Sequence, residues 1–66
     1  MKVKRGKYNN EEAIIIYVSK SEEKDEETLE KIKNYKQQCS NICVFIGGSQ
    51  KIEDILEKIL QDVRID

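Results

Sequence analysis

The run EEAIIIYV, Glu11 to Val18, decides how the rest of the chain must be read. From Ala13 onward every residue is apolar or aromatic, with Ala13, Ile15 and Tyr17 on one side of an extended chain and Ile14, Ile16 and Val18 on the other. Its shortness and its β-branched content favour strand over helix. A strand that is apolar on both sides belongs inside a sheet, commonly beside a parallel neighbour.

Upstream lies KVKRGKY, residues 2–8, separated from this run by Asn9 and Asn10. Asparagine is the non-glycine residue that best tolerates positive φ, so a two-residue turn closes a hairpin here. That turn sets Tyr8 against Glu11, Lys7 against Glu12 and Val3 against Ile16. Downstream, in SKSEEKDEETLEKIKNYKQQC, Ser19 with Glu22 or Ser21 with Asp25 offers capping chemistry, and Leu29, Ile32, Tyr35 and Cys39 recur at helical spacing. Acids lead and Lys31, Lys33 and Lys36 follow, which suits the helix dipole, so a helix over about residues 24–38 is expected. Ile42 to Ile46 then form a second apolar strand. Ile52, Ile55, Leu56, Ile59, Leu60 and Val63 make one stripe of a final helix behind Ser49 as N-cap.

The expected fold is a small α/β, α+β-like domain in the order β-β-α-β-α, spanning residues 1–66. It has a three-stranded mixed sheet, an N-terminal hairpin whose first strand is the sheet edge, one parallel βαβ crossover, and two helices packed on the sheet. A chain of 66 residues buries only about 60% of its unfolded surface, and such chains lean on disulfides, a metal or oligomerisation. Cys39 and Cys43 lack CxxC spacing and the chain has no histidine, so neither a metal nor a cofactor is expected and both cysteines read as core. Self-association remains. A homodimer through the incompletely covered sheet or the third strand's edge is expected, with Ile14, Ile16, Val18, Phe45, Leu60 and Val63 as candidate contacts.

Twelve basic and 13 acidic residues leave a net charge of −1, too little for bulk steering toward nucleic acid or an anionic membrane. The six acids among residues 22–30 are explained by the helix dipole at a solvated N-terminus. No apolar run is long enough to span a bilayer and no signal peptide is evident, so a cytoplasmic location with reduced cysteines is expected.

Two constellations could bind a ligand. Gly47, Gly48 and Ser49, followed by Lys51, form a strand-to-helix turn of the kind that cradles phosphates, although the spacing fits neither the dinucleotide fingerprint nor the phosphate loop. A tight turn with a serine cap accounts for the same residues. Lys2, Lys4, Arg5 and Lys7 could follow a phosphate backbone, while lysines on an edge strand also serve to block aggregation. Catalysis is not expected, because no histidine and no partnered nucleophile is present. The favoured reading is a small non-enzymatic accessory or regulatory protein acting through protein–protein contact. The alternatives are a phosphate- or nucleotide-binding module at the glycine turn, and weak nucleic-acid binding through the basic hairpin.

Overall fold

The computed structural model of the chain describes residues 1–47 and 50–65. Strand β1 (Lys2–Tyr8) and strand β2 (Glu11–Val18) form the expected hairpin, with Asn9 and Asn10 at φ 51° and 66°. Their register places Tyr8 against Glu11, Lys7 against Glu12 and Val3 against Ile16, as the two-asparagine turn requires. A short 3-10 turn, Lys20–Glu22, leads to helix α1 (Glu26–Gln38). Strand β3 (Ile42–Ile46), helix α2 (Gln50–Ile59) and strand β4 (Gln61–Ile65) complete the chain.

The sheet has four strands in the order β3-β2-β1-β4, with β3 parallel to β2 and the other pairings antiparallel. This corrects the expected three-stranded sheet and ends the final helix at Ile59. Asp62 to Ile65 alternates polar and apolar residues, so Val63 and Ile65 fit a strand as readily as Val63 fits the helical stripe. The unpaired side of β1 decides between them: β4 supplies hydrogen-bond partners, and Asp62 takes φ 55° on entering it. As a result β1 is interior. The edge-blocking role read for its lysines falls with it.

β2 is buried along its whole apolar length, with Ile14 and Ile16 fully inaccessible. The two helices cover opposite faces. Val3, Ile14, Ile16, Val18 and Ile32 form the core on the α1 side, joined by Tyr35, Cys39, Ile42 and Val44. The Asp25 carboxylate caps α1, accepting from the Thr28 backbone N–H at 3.3 Å and from the Thr28 hydroxyl at 3.0 Å. That bond turns Thr28 inward, where it is buried beside Ile32, and leaves Leu29 half-exposed. The inward stripe is therefore Thr28, Ile32, Tyr35 and Cys39, one step round from the stripe expected.

On the other face, the end of α2 closes over a pair of small residues, Gly6 and Ala13, which lie opposite one another in the hairpin. A Cβ at Gly6 would stand 2.9 Å from the Gln61 carbonyl oxygen and 3.2 Å from the Leu60 Cβ. Glycine here allows the α2–β4 connection to touch the sheet. Gly6→Ala is expected to cost about 1–3 kcal/mol by overpacking. The loss should fall on β4: in NMR spectra the β1–β4 cross-strand contacts weaken while those across the β1–β2 turn persist.

Candidate functional site

Strand β3 occupies one edge of the sheet, and its pairing with β2 fixes which of its backbone groups are free. Ile14 N–H donates to the Asn41 carbonyl at 2.9 Å and Gly47 N–H donates to the Val18 carbonyl at 2.8 Å. Odd-numbered residues of β3 thus turn their peptide groups toward β2. In a parallel ladder the alternate residues point the other way, so the N–H and C=O groups of Ile42, Val44 and Ile46 face outward. None of the five side chains ICVFI is charged. A strand of interior composition is standing at an edge.

The apolar surface continues past the edge. Cys43 is exposed, correcting its reading as a core residue, because one side of β3 has no neighbour. A hollow of about 350 Å³ separates α2 from this side of the sheet, lined by Ala13, Ile15, Cys43, Leu56, Ile59 and Leu60 among others. Ile46, Ile55 and Ile59 are each about half-exposed. Edge β4 is different, since it carries Asp62 and Arg64 and its pairing with β1 shifts register between Arg5 and Lys7. Charge and irregularity are how edges are kept from pairing.

Of the six residues read as candidate contacts, Ile14, Ile16 and Val18 lie in the core beneath α1, because helix cover on both faces leaves no bare sheet face. Phe45 lies on the edge strand, part-buried. Leu60 packs on Gly6 and Val63 belongs to β4.

The basic residues of β1 do not form one surface. Strand alternation puts Lys2 and Lys4 on the α2 side and Arg5 and Lys7 on the other. Lys2 pairs with Glu53 at 3.5 Å, Lys4 pairs with Glu57 and sits 6.0 Å from the Tyr17 ring centre. Arg5 reaches Glu12 at 3.1 Å and lies 5.7 Å from the Tyr35 ring centre. These contacts tie both helices to β1.

Of the glycine turn, Gly48 and Ser49 fall outside the described residues. Gly47 has φ 66° and rests against the stem of Lys20, whose Cγ and Cε would each be 3.1 Å from an added Cβ. Lys51 is an exposed residue in the first turn of α2. Beside Gly47 a second cavity opens at the carboxyl ends of β2 and β3, lined by Met1, Lys2, Tyr17, Val18, Ser19, Lys20, Glu22, Gly47 and Glu53. Lys20 was not legible as a site residue, since only the adjacency of β2 and β3 brings it to Gly47.

Among the described residues no group of side chains has the makings of a metal site, and no helix is long and apolar enough to cross a membrane. Burial, with the nearby Glu53 carboxylate next in weight, raises the Tyr17 phenol above its usual pKa. The Glu22 carboxyl moves the other way, to about 2, chiefly through hydrogen bonds from the Met1 amine at 2.7 and 2.8 Å, then from the Ser19 hydroxyl and backbone N–H. Comparison with family models, with characterised proteins and with solved structures gives no match to this chain.

A carboxyl whose folded pKa is depressed stabilises the fold above its unfolded value and ceases to do so as pH falls through the folded one. For Glu22 that window runs from about 4.5 down to about 2. Its carboxyl carbon should titrate by NMR with a midpoint near 2, and Glu22→Gln should reduce the loss of stability between those two pH values.

Proposed function

We infer that this protein is a non-enzymatic module that works by protein–protein contact, pairing its β3 edge with the β3 edge of a second copy. The observation that carries this reading is an uncharged apolar strand at a sheet edge, with the peptide groups of Ile42, Val44 and Ile46 turned outward. Antiparallel pairing about a two-fold axis at Val44 joins two four-stranded sheets into one of eight strands. Ile42 then meets Ile46 of the other copy, Cys43 meets its Phe45, and no like charges face each other. Half-exposed Ile46, on the edge strand, and Ile59, across the hollow from Cys43, add apolar area to bury.

Size supports the same reading, since one small core is marginal and dimerisation is the remaining way to reinforce a chain without a disulfide. The non-enzymatic part rests on chemistry. The chain has no histidine, and its acid-shifted carboxyl, Glu22, is held as a weak base by the Met1 amine. The reading of nucleic-acid binding loses its support because the cations of β1 are divided between two faces.

Val44→Pro is the selective test, because it deletes an outward N–H while leaving the ladder to β2 in place. Wild-type protein should sediment as a dimer that dissociates on dilution, with thermal stability rising with concentration, and the proline variant should be a monomer with a concentration-independent midpoint. Cys43→Lys, at an exposed position, should give the same result by charge repulsion without touching the core. A wild-type monomer at high micromolar concentration, or dimers indifferent to both changes, would sink the proposal.

A further inference from the structure

The second cavity is placed where open α/β sheets bind ligands. Adjacent parallel strands β2 and β3 send their following helices to opposite faces, α1 to one and α2 to the other, and the crevice outside the carboxyl ends at such a switch is the usual ligand position. The cavity here measures about 530 Å³.

Its charges nearly cancel in pairs. The Met1 amine is held by Glu22 at 2.7 Å, and Lys2 by Glu53 at 3.5 Å. Two donors are left over. The Lys20 ammonium makes no hydrogen bond or ion pair among the described residues, and the side-chain stem is laid against Gly47, whose left-handed φ and missing Cβ admit it. Tyr17 is 7% exposed, and among the described residues its hydroxyl is a buried polar atom with no hydrogen-bond partner. Leaving such a group unsatisfied costs about 1–3 kcal/mol, which a fold has no structural reason to retain when phenylalanine would fill the same space.

We propose that this cavity binds a small oxyanion, the phosphate or carboxylate group of a metabolite, through the Lys20 ammonium and the Tyr17 hydroxyl. One unpaired cation and one neutral donor match a compact anionic group carrying about one charge, and a hydrogen bond from each satisfies both. A phenol is protonated throughout the neutral range, and burial moves Tyr17 further in that direction, so its hydroxyl is available as a donor. The site differs from one made by the glycine turn alone, since its donors come from β2 and the residues just after it.

The test is an NMR titration of the labelled protein with sodium phosphate and, separately, sodium acetate, against sodium chloride at matched ionic strength. Saturable shifts of the Val18, Ser19, Lys20 and Gly47 amides are expected with at least one of the two oxyanions and not with chloride. Saturation by phosphate alone would assign the site to phosphate groups, and by acetate to carboxylates. Tyr17→Phe and Lys20→Gln should each weaken binding about tenfold. Tyr17→Phe removes an unsatisfied hydroxyl without altering shape, so its spectrum should remain that of the folded protein, with unchanged or slightly raised thermal stability. Absence of saturable shifts with either oxyanion, or shifts that both variants leave unaltered, would overturn the proposal.

Discussion

Everything in this fold follows from the need to cover β2 on four sides. Six consecutive buried residues, Ala13 to Val18, leave that strand with no solvent-facing side chain, so it requires a helix on each face and a strand on each edge. The hairpin supplies β1, the parallel crossover supplies β3, and the helices divide between the faces. Burial of the strand's side chains is worth about 1.5–3 kcal/mol for each large apolar residue, which makes β2 the main source of stability in so short a chain.

That demand sets the local chemistry elsewhere. α2 must cross the sheet from β3 at one edge to β4 at the other, and it can sit close only where the hairpin presents Gly6 opposite Ala13. The same passage brings Glu53 and Glu57 over β1, where Lys2 and Lys4 meet them. Charges that resemble a nucleic-acid ribbon in the sequence are thus braces between strand and helix. Arg5 does the equivalent on the other face, between Glu12 and the Tyr35 ring.

How much of this was legible depends on how local the deciding interaction is. The hairpin register was readable because two asparagines at positive φ leave only one short turn. Helix α1 was readable from its period and its charge order but not from its caps: Ser19 and Glu22 belong to the 3-10 turn, and the Asp25 side chain both caps α1 and decides the Thr28 and Leu29 exchange. β4 was not readable, because five residues support both periods and the choice rests on pairing with a strand more than fifty residues away in the sequence. The glycine turn marked the right end of the sheet, yet the donors beside Gly47 come from β2 and its exit. The β3 edge was expected as a contact surface, but Ile14, Ile16 and Val18 could not be assigned to the inside until the helices were known to lie on opposite faces.

The two ends of the sheet show how an edge is kept solitary and how it is left available. An open sheet always has two edges, and each exposes peptide groups that would rather be paired. On β4 the side chains include an aspartate and an arginine, and the ladder to β1 slips within the pairing, so a second copy approaching that edge meets charge and a poor match. On β3 the ladder to β2 is regular from Ile42 to Ile46 and the side chains are uncharged. The same chain therefore protects one edge and leaves the other unprotected. Since β3 must be apolar to pack beside β2, its core-facing side chains cannot be exchanged for charges without loss of stability. Cys43 points away from that core and is exposed at the rim of the apolar hollow beneath α2. Packing accounts for Ile42 and Val44, and an uncharged side chain at position 43 keeps the hollow under α2 apolar, which leaves this edge without the charge that guards β4.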